Sequence, residues 1–136
     1  MQERARVFTY AVTVDRDWAA RSDKGGSALP REEAWSPEHL LLAGLARCLL
    51  TSLEFHAKRR DLTVEGTAAA SGSVTRRESD GRFAFVEIDA ELDVTLDPEP
   101  DDVRELLALA EHDCFVSASL TVTPSYSWTV NGREIA

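Results

Sequence analysis

One segment constrains this chain more than any other: SPEHLLLAGLARCLLTSL, residues 36–53. Ser36 suits a helix N-cap, Pro37 the first helical position and Glu38 the first turn. The predicted helix runs to about Arg60, where Lys58, Arg59 and Arg60 favour a C-terminal end. Its first half is apolar nearly all round, so it is expected to be buried rather than to lie on a surface. Its longest strongly apolar stretch, Leu40 to Ala46, is much too short to span a bilayer. A chain of 136 residues built around such a helix is expected to form a single domain, residues 1–136, with a real core.

Strand patterns flank the helix. From Val7 to Val14, Phe8, Tyr10, Val12 and Val14 alternate with smaller or polar residues. Asp15 to Trp35 is polar and broken by Gly25, Gly26 and Pro30; it reads as mostly loop with room for one short strand. Such a long connection is often functional. Leu62 to Thr75 is a weakly patterned strand. Phe83 to Leu96 is a clear one, with Val86, Ile88, Ala90, Leu92, Val94 and Leu96 on one face and Glu87, Asp89, Glu91 and Asp93 on the other. Asp97-Pro98-Glu99-Pro100 then breaks the strand and opens a second helix, about Asp101 to His112, with an apolar stripe of Val103, Leu106, Leu107 and Ala110. A last strand, about Ser119 to Val130, ends at a turn on Asn131-Gly132. The order is strands, helix, two strands, helix, strand, which defines an α+β fold with a mainly antiparallel sheet.

Charge and cysteine usage exclude several function classes. A formal net charge of −9 argues against nucleic acid or an anionic membrane as partner, because both need a basic surface. The N-terminal MQERARVFTYAV lacks the apolar core of a signal peptide, so a cytoplasmic location is expected. His39, His56 and His112 fit no zinc spacing with the two cysteines, so no metal is expected. Ser36, Ser52 and Ser117 lack a nucleophile-elbow context, and no Gly-rich loop suggests a nucleotide; no cofactor is expected.

The chemistry that remains is thiol chemistry. Cys48 lies mid-way along the central helix, and Cys114 lies at the end of the second helix in EHDCFVSAS. A free cysteine is most often a small buried hydrophobe. These are the chain's two cysteines, each follows ionisable residues (Arg47; His112 and Asp113), and each is on a helix expected to reach the core, so the two can meet. In a reducing compartment such a pair is more often inert, catalytic or redox-sensing than structural.

Residues 36–53 resemble the central-helix motif of the OsmC/Ohr family, a Pro-Glu-x-Leu start with a cysteine ten positions after the Glu. AEHDCFVSASLTVTP, residues 110–124, is similar to that family's second motif, in which a cysteine and a short polar run enter the last strand. With the element order, the resemblance covers nearly the whole chain. One departure is Phe115 after Cys114, where Ohr members typically carry Pro.

The resemblance implies a peroxidase acting on organic hydroperoxides and extending to hydrogen peroxide. In it Cys48 is the attacking thiolate that becomes a sulfenic acid, and Cys114 resolves it as a disulfide. A dithiol or lipoyl-type reductant restores both thiols. Burial opposes a thiolate at Cys48, so a cation must offset it. The resemblance implies an Arg from the N-terminal half held by Glu38. Arg16, Arg21 and Arg31 are the candidates. Arg47 is set about 100° from Cys48 around the helix and faces elsewhere. Trp18, Trp35, Phe55, Phe115 and Trp128 are candidates to line an apolar substrate pocket, with core packing the competing role for Phe55 and Phe115.

The resemblance also implies an intertwined homodimer. Ten residues place Glu38 about 15 Å along the helix axis from Cys48 and roughly 80° around it. Two copies crossing antiparallel at a twofold axis bring Glu38 of one chain towards Cys48 of the other. The same crossing covers the second face of the all-apolar helix. The competing functions are a non-catalytic module that binds a small apolar or thiol ligand on the same scaffold, and a structural protein with inert cysteines.

Overall fold

The computed structural model describes residues 5–136. The chain partitions into two units, residues 1–37 and 38–136. In the first, β1 (Val12–Val14) and β2 (Ala20–Ser22) form an antiparallel hairpin in which Val12 faces Ser22 and Val14 faces Ala20. Asp15 builds the turn: its carboxylate accepts the backbone N–H groups of Asp17 (2.9 Å) and Ala19 (3.1 Å). The side-chain oxygen thus replaces backbone partners that a tight turn leaves unmet. The strand expected from Val7 to Val14 is only three residues long. Val7, Tyr10, Val12, Val14 and Trp18 are all exposed, so among its described residues this unit buries no apolar face of its own. Regular alternation marks a strand only where a second layer takes up its apolar side.

The second unit holds α1 (Pro37–Lys58), β3 (Thr63–Arg76), β4 (Phe83–Asp97), α2 (Val103–His112), α3 (Phe115–Ala118), β5 (Ser125–Val130) and β6 (Arg133–Ile135). Its sheet has the order β3-β4-β5-β6. The pairings β3–β4 and β5–β6 are antiparallel, and β4–β5 is parallel. A parallel neighbour requires a crossover, and α2 with α3 supplies it. The fold is α+β, as the element order predicts, with a mainly antiparallel sheet.

β4 alternates as its sequence dictates from Ile88 onward: Ile88, Ala90, Leu92, Val94 and Leu96 are buried. Val86, expected on the same face, is exposed instead. A register shift at Ser73/Val74 inserts a bulge that pairs Ser73 with Glu87 and Val74 with Phe85, skipping Val86. Phe85 packs against the core in its place. The opposite face of β4 carries Glu87, Asp89, Glu91, Asp93 and Asp97, all exposed. Their cross-strand neighbours are small or hydroxylic: Ser71, Ala69 and Thr67 on β3 and Ser125, Ser127 and Thr129 on β5.

The core is formed by the inner face of β4, by Trp128 and Val130 of β5, by Leu106, Leu107 and Ala110 of α2, and by one stripe of α1. That stripe is Leu45, Leu49, Leu53 and Ala57, spaced by four, each at 0 % exposure. Full burial of each leucine stabilises the fold by roughly 2 kcal/mol. The expectation of a helix buried nearly all round is not met within one chain. Ser52 is the one further buried residue of α1, and Leu40 and Phe55 are exposed. By length and composition α1 is apolar enough to cross a bilayer, which its short unbroken apolar run does not suggest; its buried stripe is seated instead in the core against the sheet.

Candidate active site

Two stripes run along α1. One is the leucine stripe; the other is Cys48, Ser52 and His56, again spaced by four, so all three side chains share a face. This second stripe meets the C-terminal end of α2. Ser52 Oγ donates to the Ala110 carbonyl at 2.8 Å. Ala110 belongs to the last turn of α2, whose carbonyls lack intrahelical partners, and the serine satisfies one of them. Further along, Arg60 reaches Glu105 at 3.3 Å. These side-chain bonds, with His56 to Asp113, tie α1 to α2 along its length.

Cys114 lies just beyond this contact. The second helix ends at His112 with Asp113 as C-cap, and Cys114 is the N-cap of the four-residue α3, its sulfur accepting the Ser117 N–H at 3.5 Å. The sequence places Cys114 at the end of one helix; the structure places it in a tight corner between two. Cys114 is fully buried, whereas Cys48 is partly buried, and the two side chains lie close enough to influence one another electrostatically. Burial pushes the Cys114 thiol up to about 11, with the neighbouring Cys48 adding to the rise and the Ser117 N–H opposing it. At neutral pH Cys114 is therefore a protonated thiol.

The corner is held on three sides. Asp113 takes His56 Nε2 on one carboxylate oxygen at 2.7 Å and its neighbour His112 Nδ1 on the other at 2.8 Å. The His112 bond first, and the His56 bond after it, hold the Asp113 carboxyl below its ordinary range, against burial. Trp128 of β5 donates its indole N–H to Glu111 at 2.7 Å. Tyr126 of β5 shares a short hydrogen bond with the Ser117 hydroxyl; burial raises its phenol, Ser117 lowers it, and Cys114 and Glu111 raise it further.

The remaining sequence-derived candidates are placed as follows. Glu38 is exposed in the first turn of α1. Phe55 and Phe115 are exposed at 55 % and 53 %. Phe55 has Arg59 over its ring at 5.6 Å. Trp128 is a core residue rather than a pocket wall. In the first unit, Arg31 stacks on Trp18 at 3.9 Å, Arg21 pairs with Asp15 at 3.4 Å, and Arg16 and Trp35 are exposed. The cysteine pair is thus assembled within the second unit. A concavity of about 510 Å³ elsewhere is lined by Thr63, Glu65, Thr95, Leu96, Asp97, Glu99 and Asn131, none of them a site candidate.

Sequence reading notes Asp113 beside Cys114 but does not bring Ser52, His56, Glu111, Ser117 or Tyr126 to the cysteines. Sequence alone weighs His56 only as a metal ligand and Ser52 and Ser117 only as nucleophiles. The available signal was the four-residue spacing from Cys48. Two contacting thiols of unequal burial can undergo oxidation to a disulfide, the more accessible one reacting first.

The family described as OsmC-like protein matches residues 30–129. No curated protein matches the sequence significantly. Among solved structures, an OsmC-like protein from Mycoplasma pneumoniae is 19% identical, with a TM-score of 0.70 over 93% of this chain and 99% of its own. The organic hydroperoxide resistance protein OhrB of Bacillus subtilis is 25% identical, with a TM-score of 0.59 over 91% of this chain and 98% of its own. An organic hydroperoxide resistance protein from Elizabethkingia anophelis is 19% identical, with a TM-score of 0.65 over 94% and 100%. The match spans both cysteine segments and most of the chain, and this protein belongs to the OsmC-like family.

Proposed function

We propose that this protein is a thiol peroxidase that reduces organic hydroperoxides. The observation that carries the reading is the unequal pair: a partly buried Cys48 beside a fully buried Cys114 whose thiol keeps its proton. Its family membership and its similarity to hydroperoxide resistance proteins support it.

In this reading the Cys48 thiolate attacks the distal peroxide oxygen. The O–O bond breaks, the alkoxide leaves and takes a proton from solvent to become the alcohol, and Cys48 becomes a sulfenic acid. The Cys114 sulfur then attacks the Cys48 sulfur; the S–O bond breaks, and water departs with the Cys114 proton. An external dithiol, of lipoyl type or smaller, reduces the disulfide and is itself oxidised. Glu38 orients an arginine that stabilises the Cys48 thiolate, with Arg16, Arg21 and Arg31 as the candidates. Phe55, Phe115 and Trp35 offer apolar surface to the organic group of the substrate.

The functional unit in this proposal is a homodimer. A two-stranded hairpin with exposed apolar residues is marginal by itself, and α1 leaves Leu40 and Phe55 uncovered. A second copy covers both and brings its Glu38 towards Cys48.

The test is peroxide consumption with a dithiol present. Cys48→Ser abolishes it. Cys114→Ser allows one turnover and then accumulates a sulfenic or overoxidised Cys48. Peroxide-treated wild type contains an intramolecular Cys48–Cys114 disulfide by mass spectrometry. Full activity in Cys48→Ser ends the proposal.

A further inference from the structure

We infer that His56 is a positioning residue for disulfide closure: its grip on the Asp113 carboxylate holds the Cys114 thiol against Cys48. The inference deepens the peroxidase reading and takes the identity of the step from it. The geometry comes from α1, α2 and the corner between α2 and α3.

His56 lies two turns beyond Cys48 on the same face of α1. Its side chain is only 12% exposed, and its ring meets Phe55 edge-on at 5.2 Å and 84°. From there Nε2 meets Asp113 Oδ2 at 2.7 Å, a distance typical of a strong bond to a carboxylate. Asp113 is peptide-bonded to Cys114 and is the C-cap of α2, its own N–H returning to the Leu109 carbonyl at 3.0 Å. Any displacement of Asp113 is therefore passed directly to the resolving cysteine.

The two imidazoles on Asp113 are not equivalent. His112 is the preceding residue and moves with Asp113. His56 belongs to the other helix, the one that carries Cys48. Only the His56 bond ties the two cysteine-bearing elements together at this carboxylate. Ser52 fixes the end of α2 one turn before Cys114, and Glu111–Trp128 fixes it to β5. Without His56 the helix end stays docked and α3 stays tied to β5 through Ser117 and Tyr126, while the carboxylate next to Cys114 loses its bond to the helix that carries Cys48.

Closure is sensitive to such a release. The two free sulfurs must come together to a bond of about 2.05 Å with a defined dihedral. Misplacement of a reacting group by about 1 Å can slow such a step by roughly a hundredfold. The attack of Cys48 on peroxide does not use the Cys114 corner, so the two steps respond unequally.

The experiment compares full-length wild type, His56→Ala and His56→Gln after one equivalent of cumene hydroperoxide. Sulfenic acid is trapped with dimedone, free thiols with N-ethylmaleimide, and disulfide is counted by mass spectrometry against time. In His56→Ala, closure slows about tenfold relative to that variant's own sulfenic acid formation, on the scale of one lost charge-assisted bond. In His56→Gln, whose side-chain amide can donate to the same carboxylate, the ratio stays within about threefold of wild type. An unchanged ratio in His56→Ala, or equal slowing of both steps, overturns the inference. If wild type consumes no peroxide, the peroxidase reading fails and a second measurement decides the positioning role. Each protein is equilibrated with glutathione redox buffers. The effective concentration of the Cys48–Cys114 pair then falls about tenfold in His56→Ala and returns in His56→Gln; equal values in all three proteins overturn the inference.

Discussion

Removing one hydroxyl tests the packing that assembles the site. Ser52 is buried at 8% exposure and donates to the carbonyl of Ala110, itself fully buried. Ser52→Ala leaves that carbonyl without its partner in the last turn of α2, where no backbone N–H replaces it. An unsatisfied buried acceptor costs about 2 kcal/mol. Alanine is the better helix former and offsets about 0.5 kcal/mol of this, leaving a net loss of about 1.5 kcal/mol. For a chain of this size that corresponds to a fall in Tm of about 6 °C. The control is the neighbouring Thr51→Ala. Thr51 is exposed, and its hydroxyl bonds to Arg47 within the same helix at 2.9 Å. Its replacement is expected to leave Tm unchanged or raise it slightly, because only propensity changes. Thermal melts by circular dichroism and urea midpoints read both variants. If Ser52→Ala melts with Thr51→Ala, the α1–α2 contact contributes nothing and the account of how the corner is held is wrong.

Four further outcomes are expected. The Cys114 thiol, raised to about 11 from an ordinary 9.0, resists iodoacetamide at neutral pH while Cys48 reacts; Cys114 labelling in the folded protein begins only as pH approaches 11, and equal rates at pH 7 would refute the assignment of roles. Because folding raises this pKa, the stability it contributes is whole below about pH 9 and is lost as pH rises through 11, so Cys114→Ala flattens the alkaline unfolding curve. Gly66→Ala places a Cβ 2.4 Å from the Asp93 carbonyl oxygen and 2.7 Å from Val94 Cα, so the β3–β4 ladder must part there; a loss of roughly 3 kcal/mol in urea unfolding is expected, and a loss under 1 kcal/mol would contradict the pairing. Light scattering at low micromolar concentration is expected to give about twice the 15.0 kDa chain mass, and a stable, fully active monomer would end the dimer proposal.

Much of the second unit is legible in the sequence, because its signals are local. Ser36-Pro37-Glu38 starts a helix that runs from Pro37, and the alternation from Ile88 to Leu96 is the inner face of β4. Three features escape such reading. The bulge that expels Val86 depends on how β3 is registered against β4, which periodicity within one strand does not encode. The helix α3 is hidden because its N-cap is a cysteine, which is not among the usual capping residues. The His56–Asp113 bond joins residues 57 positions apart, so neither reveals the other until α1 and α2 pack. The cysteine pair was legible through its two motifs, but the unequal state of the thiols was not. That inequality comes from the depth at which the corner seats Cys114, a property of the assembled core.

The acidic face of β4 has a consequence for how copies of this molecule meet. Glu87, Asp89, Glu91 and Asp93 stand along one line of the sheet, successive members about 7 Å apart, and Asp97 continues the line beyond Thr95. That spacing is shorter than the screening length of physiological salt, about 8 Å, so neighbouring charges still repel. Cross-strand neighbours of serine, threonine and alanine offer them no cation. Two such faces pressed together would oppose five carboxylates to five and strip both rows of water. The row acts as a signpost: its charge and hydration disfavour burial of this side of the sheet against a second copy of itself.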